Sequence, residues 1–322
     1  MLGRTAVDGQ EDEMTNEVRT DDITLDSVVT RTVLVGVDGS ESARHAMLVA
    51  AEEAVLRKAQ LRVLLAWTPL ALAPVGMPVM TDPGREAGAR QVLNSEVAAV
   101  RTAHPELTVL ASLVPGAAAG ELVAASEHAD LLVLGSKGLG GFSELLLGSV
   151  SVQAASHAQC PTLVVRPTPS DDGHIAGSEA GRIVVGVDGT SASEPALEFA
   201  IHETSMLGCG LTAIHAWETL PMEAPYGYLD AGVIEDLIDA EKTQLMERIN
   251  RWTEKFPGVD VRHLVIAGPA SGVLLDAARG ARMLVVGSRG RGGFRRLLLG
   301  SVSHTVLHHA PCPVAIVRAQ VL

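Results

Sequence analysis

Gly287-Ser288-Arg289-Gly290, then nine residues to Leu299, then Gly300-Ser301, is the stretch whose reading decides the fold. It occurs a second time, earlier, as Gly135-Ser136-Lys137-Gly138, nine residues to Leu147, then Gly148-Ser149. Each copy follows a short apolar run (131–134 and 283–286) and precedes an amphipathic segment. That succession predicts a strand, a glycine-rich loop and the start of a helix. Such a loop offers backbone N–H groups and a helix N-terminus to an anion, most often a phosphate.

Working outward, the chain repeats itself. Thr32-Val-Leu-Val-Gly-Val37 predicts a buried strand ending at Asp38-Gly39-Ser40, and Ser40 is placed to cap a helix over 41–58. A strand over 61–66, a helix over 86–103, a strand over 107–113 and a helix over 120–128 follow. Then come the strand over 130–134, the glycine loop, a helix over 150–157 and a strand over 162–165. Ile183-Val-Val-Gly-Val187-Asp188-Gly189 restarts the series at an offset of 150, and the second glycine loop matches at 152. Half two continues with a strand over 211–217, a helix over 232–255, a strand over 259–265 and a helix over 271–279. The strand over 283–286, the loop, a helix over 302–309 and a strand over 314–317 complete it.

Alternating strands and helices imply right-handed crossovers and parallel strands covered on both faces. The expectation is an α/β protein of two tandem, doubly wound, five-stranded parallel sheets, each in the order 3-2-1-4-5. The expected domains are an acidic disordered tail over 1–30, a first domain over 31–166, a linker over 167–181 and a second domain over 182–318. In this order the reversal between strands one and four brings Asp38 beside Gly135 and Asp188 beside Gly287, at the carboxyl ends where such sheets bind ligands.

Charge supports the division. Eight acids and two arginines give residues 1–30 a charge of −6, three acids give 167–181 a charge of −3, and the two domain blocks stand at −2 each. A nearly neutral folded part suggests neither a nucleic-acid nor an anionic-membrane surface. The three cysteines, Cys160, Cys209 and Cys312, make no disulfide framework; Cys160 and Cys312 occupy matching places and read as small packing residues. Residues 63–80 carry no charge, but Pro69, Pro74 and Pro78 interrupt them, so a strand running into an apolar loop is expected rather than a membrane helix. With neither a basic flank nor an apolar core at the N-terminus, a cytoplasmic protein is expected.

Each glycine in the loops has a predicted task. Gly135 and Gly287 end a strand where a Cβ would crowd a ligand, while Gly138, Gly140, Gly141, Gly290, Gly292 and Gly293 permit positive φ and expose N–H groups. Gly148 and Gly300 turn the chain into the next helix. Ser149 and Ser301 cap it or donate to phosphate, with Val150 and Val302 next in line. Ser136, Lys137, Ser288, Arg289 and Arg291 sit in the same loops. The pattern is neither a Walker loop nor a dinucleotide fingerprint, which follows the first strand. Asp38 and Asp188 suit a ribose or adenine contact, or else a helix-entry turn; Trp67 and Trp217 suit a base-pocket wall or rim packing.

With these residues in view, the sequence resembles a tandem universal stress protein. Nucleotide-binding members of that family carry Gly-x-x-Gly, nine residues, Gly-Ser/Thr, and an acid ending the first strand, as both halves do here. The resemblance covers roughly 32–166 and 182–318. It implies ATP, with or without magnesium, held by the glycine loop, with adenine near strands one and two. It also implies pairing of the halves through their last strands as an internal pseudo-dimer, with a homodimer of whole chains as a further assembly. Family members are stress-response regulators, and weak ATP hydrolysis is known among them. Where single-domain relatives often have proline two residues before the acid, this chain has Gly36 and Gly186.

The halves differ. Half two carries Arg289, Arg291, Arg295 and Arg296 where half one has Lys137, Leu139, Ser143 and Glu144, so half two is expected to hold a polyphosphate more tightly. An RNA reading of the arginines is disfavoured because half one lacks them and Phe294 is their lone aromatic. His304, His308 and His309 have no carboxylate with them and read as a solvated helix face rather than a metal site. The expectation is a regulatory adenine-nucleotide binder with no catalytic or metal residues. The alternative is a weak ATPase or adenylyl-transferring enzyme, which needs a positioned base and a metal carboxylate.

Overall fold

The computed structural model describes residues 30–69, 83–139, 147–166, 179–217, 231–290 and 298–319. The expected disordered tail, most of the linker and the apolar loop after Trp67 lie outside the described residues, as do Gly140, Gly141, Arg291, Gly292 and Gly293.

Half one runs β1 (Thr32–Gly36), α1 (Glu41–Arg57), β2 (Gln60–Trp67), α2 (Pro83–Ala103), β3 (Val109–Pro115), α3 (Ala118–Ala125), β4 (Leu131–Gly135), α4 (Ser149–His157) and β5 (Thr162–Val165). Half two runs β6 (Ile183–Gly186), a 3-10 turn (Ser191–Ser193), α5 (Glu194–Leu207), β7 (Gly210–Trp217), α6 (Ala231–Thr253), β8 (Asp260–Ala267), α7 (Ala270–Ala277), β9 (Met283–Gly287), α8 (Ser301–His309) and β10 (Val314–Val317). β3 begins two residues later than the apolar run suggests. Leu107 is buried in a turn instead, its N–H donating to the His104 carbonyl at 3.1 Å.

α1 starts as its sequence dictates: Ser40 is extended (φ −72°, ψ 157°) and its hydroxyl accepts from Ala43 N at 3.1 Å. It ends on Lys58 in the left-handed conformation at φ 52°, the place taken by Gly208 at φ 61° after α5.

Within each half the strands are parallel and ordered third, second, first, fourth, fifth. The two expected sheets are, however, one. β5 and β10 pair antiparallel, Leu163 opposite Ala315, and close a ten-stranded sheet in the order β3-β2-β1-β4-β5-β10-β9-β6-β7-β8. This is the last-strand pairing that the resemblance implies. An edge strand in each half would otherwise leave its ladder groups unpaired.

Burial explains why the central strands are unbroken apolar runs. Val33, Leu34 and Val35 have no exposed surface, nor do Val184, Val185, Leu284 and Val285. On one face the core is continuous across the seam, from Met47, Ala50 and Leu61 through Leu163 to Ile183, Leu197 and Ala315. On the other face, α3 and α4 cover Leu34, Leu64 and Leu132, and α7 and α8 cover Val184, Ile214 and Leu284. Two arginines cross the seam reciprocally. Arg166, just past β5, donates to the Leu307 carbonyl of α8, and Arg318, just past β10, donates to the Ser156 carbonyl of α4.

Candidate functional site

The order reversal lies between β1 and β4 and again between β6 and β9, so the turn after the first strand and the glycine loop after the fourth share one crevice in each half. The acid and the loop meet directly. Asp38 Oδ2 accepts from Leu139 N at 2.9 Å, and Oδ1 accepts from Ser40 N at 2.9 Å. A Cβ on Gly138 would lie 2.6 Å from Asp38 Oδ2. In half two Asp188 Oδ1 accepts from Thr190 N at 2.9 Å and from Thr190 Oγ1 at 2.7 Å, and a Cβ on Gly290 would lie 3.0 Å from Asp188 Oδ2.

These contacts revise the predicted roles. Gly138 and Gly290 do not take positive φ; the left-handed residues are Gly39 (87°) and Gly189 (77°) in the acid turns. At both places the missing Cβ lets the acid lie close against its loop, more tightly at Gly138 than at Gly290. Gly135 also answers to a protein neighbour rather than a ligand: its Cβ would stand 2.6 Å from Ser42 Oγ and 2.7 Å from the Ser42 carbonyl oxygen. Gly36 and Gly186 admit packing side chains, with Leu134 Cδ2 and Leu274 Cδ1 each 2.8 Å from the Cβ position. The acids are helix-entry turn residues first. A carboxylate accepts about four hydrogen bonds, so Asp38 keeps capacity for a ligand after serving two N–H groups.

The loop then returns to the sheet. Ser136 N donates to the Val165 carbonyl at 2.9 Å and Gly148 N to the Ser136 carbonyl at 2.7 Å; Ser288 and Gly300 repeat both bonds at 2.7 and 2.8 Å. Both serines are buried at 3%. Gly148 and Gly300 are the caps of α4 and α8, and neither helix has a side-chain cap. Ser149 and Ser301 are therefore first helical residues, exposed, rather than caps. Their N–H groups, with those of Val150 and Val302, belong to the positive helix ends facing the loops. Ser151 and Ser303 brace the joints from below, donating to the Gly135 and Gly287 carbonyls at 2.7 and 2.6 Å. Lys137 and Arg289 are exposed at the loops.

Trp67 and Trp217 end β2 and β7, each carbonyl accepting the N–H of a glycine after the third strand (Gly116, Gly268) at 2.9 Å. Trp67 packs part-buried on the main core. His308 departs from the solvated face expected of it: its ring stacks on His304 at 4.4 Å, and burial, then His304, lowers its pKa. Among the described residues, no group of three His, Cys, Asp or Glu gathers as for a metal ion. Burial pushes the Cys160 and Cys312 thiols up to about 12, which removes thiolate chemistry near neutral pH.

Comparison with known proteins agrees with this architecture. The model of the Universal stress protein family matches residues 30–166 and again 179–318. The chain belongs to the universal stress protein family. Two Mycobacterium tuberculosis members of the family, the universal stress proteins Rv2623 and Rv2005c, are 34% and 35% identical to it over 293 residues, covering 89% of this chain and 96% of each relative. The crystal structure of a universal stress protein from Archaeoglobus fulgidus shares the fold, with a TM-score of 0.60 at 22% identity over 89% of this chain and 98% of that one. Among the described residues of this universal stress protein, no helix is long and apolar enough to cross a membrane.

Several residues at the crevices escape a sequence reading. Ser42 Oγ accepts from Lys137 N at 3.2 Å, tying loop one to α1, whereas half two has Ala192 at the matching place. His215, 2% exposed, sits with Nδ1 2.8 Å from the Val187 carbonyl and Nε2 3.5 Å from Glu241 Oε2. A histidine inside an apolar strand, where half one has Leu65, was the available signal.

Proposed function

We propose that this universal stress protein is a cytosolic regulator that binds ATP in each half and acts through nucleotide-dependent conformation or assembly. One observation carries the reading: both crevices pair an uncapped helix N-terminus with a glycine whose missing Cβ lets an acid lie close against the loop, at the strand-order reversal. The residues fit the group. Gly138, Gly148, Ser149 and Val150 would hold phosphates of a nucleotide in half one, and Gly290, Gly300, Ser301 and Val302 those in half two. Asp38 would take a ribose or adenine donor on an acceptor position its turn does not use, and Asp188 stands at the matching place in half two. Bound ATP would supply negative charge beside the exposed Lys137 and Arg289, which would offer it cations.

We infer binding rather than turnover. Asp38 and Asp188 are the acids repeated in the two crevices, and among the described residues no group of three His, Cys, Asp or Glu gathers with either to hold a metal for hydrolysis. Calorimetric titration of the whole chain with ATP tests the reading. Two sites are expected, with Gly138→Ala and Gly290→Ala each abolishing one and the double variant abolishing both. Unchanged uptake by the folded double variant would refute it.

A further inference from the structure

One ion pair is inverted between the two crevices. In half one, Arg44 on α1 meets Glu96 on α2, Nη2 to Oε1, at 3.1 Å. The matching residues of half two are Glu194 on α5 and Arg248 on α6, Nη1 to Oε1, at 2.7 Å. The place is the same and the charges are exchanged.

The exchange changes what the second helix can reach. The Glu96 carboxylate is 5% exposed and accepts from Arg44, whose side chain lies 62% in solvent. Arg248 has five N–H donors in a fixed fork and uses them on the acid turn as well. Its Nη1 donates to the Thr190 carbonyl at 3.2 Å and its Nη2 donates to the Gly189 carbonyl. These carbonyls belong to the turn in which Thr190 N and Oγ1 grip Asp188. α6 makes a second approach to the same turn, through Glu241, His215 and the Val187 carbonyl. Half one has Ala89 and Leu65 at those positions, and its Gly39 turn meets the apolar Val92 instead.

We propose that Arg248 is a positioning residue of the half-two nucleotide site, fixing the Asp188 turn against Gly290 and giving that site the tighter hold on a nucleoside triphosphate. This inference rests on the nucleotide-binding reading above. A guanidinium bridging two carbonyls and a carboxylate freezes the turn before any ligand arrives, so less ordering remains to be done on binding. It also brings a guanidinium onto the carbonyls of the turn, whereas Arg44 of half one lies 62% in solvent.

The test uses the whole chain with the first site closed by Gly138→Val, whose Cβ would start 2.6 Å from Asp38 Oδ2. ATP binding is measured by calorimetry, and thermal unfolding is followed without ligand. Into this background go Arg248→Ala, Arg248→Lys and the charge-exchanged double variant Glu194→Arg/Arg248→Glu. All three should weaken ATP by about tenfold or more, the scale of lost hydrogen bonds to a charged group. Arg251 also donates to Glu194, at 3.1 Å, where half one has Ala99, so the exchange is made with Arg251→Ala already in place. The ion pair then has the polarity of half one, and the exchanged variant should unfold within about 2 °C of that parent. ATP affinity equal to the parent's in the exchanged variant or in Arg248→Lys would overturn the proposal. A folded Gly138→Val parent that takes up no ATP would sink the nucleotide reading of the second crevice, and the proposal with it.

Discussion

Arg57 on α1 donates to the carboxylate of Glu203 on α5, joining the two halves by an ion pair whose side chains are 8% and 1% exposed. The same guanidinium holds Glu53 one turn back on its own helix. Glu53 and Glu203 match at the offset of 150, but the match of Arg57 is Leu207. Two buried carboxylates therefore share one guanidinium at the seam. Burial, and then Glu53 nearby, push Glu203 up to about 7 against the pull of Arg57; burial raises Glu53 as well, with Arg57 and the more distant Arg282 opposing.

The sign of the pH dependence follows. An unfolded glutamate titrates near 4.3. Because the folded value is higher, the native chain binds more protons in between; the stabilisation is complete below the unfolded value and is lost as pH rises through about 7. Thermal midpoints should fall between about pH 5.5 and pH 8. Glu203→Gln should flatten that slope and raise the midpoint at pH 8 by about 3 °C. A steeper slope in the variant would contradict the assignment. Arg57→Ala, which strands both carboxylates, should cost about 3–5 kcal/mol in denaturant unfolding at pH 8.

Ser42 holds one N–H of the first glycine loop that the second loop, beside Ala192, does not give to a serine. Ser42→Ala should free Lys137 N for a phosphate. Site-one ATP affinity, measured in a Gly290→Val background, should then rise about threefold, while stability falls by about 1 kcal/mol. Weaker ATP binding in Ser42→Ala would show that the hydroxyl serves the ligand.

Lys58 closes α1 in the left-handed conformation at φ 52°, a strained place for a side chain, where half two uses Gly208 at φ 61°. Lys58→Gly should stabilise the chain by about 0.5–1 kcal/mol in urea unfolding, and Gly208→Ala should destabilise it by a similar amount. Equal and opposite shifts in the wrong directions would remove the backbone argument.

What could be read from sequence was local or repeated. Val33 to Gly36 and Leu131 to Leu134 announce buried parallel strands by apolar runs alone, and the offsets of 150 and then 152 fix the second half once the first is placed. The nine-residue spacing from Gly138 to Gly148 marked the loops, and Ser40 marked its helix. Contacts between residues far apart in the chain carried no such sign. The Arg57–Glu203 pair spans 146 positions and the Ser42–Lys137 bond 95, and nothing in composition couples them. The reasons read for the glycines were in part wrong: Gly138 and Gly290 do not take positive φ, and Gly135 makes room for Ser42, a neighbour that only folding reveals. The reversed polarity of Arg44–Glu96 and Glu194–Arg248 stood in the aligned halves, but became meaningful only when Arg248 was seen on the Asp188 turn.

Native mass spectrometry of the intact chain in excess ATP reads the nucleotide count directly. Two adenine nucleotides per chain are the predicted result, one lost with Gly138→Val and the other with Gly290→Val. A folded chain that carries only its polypeptide mass under those conditions would contradict the assignment of both crevices.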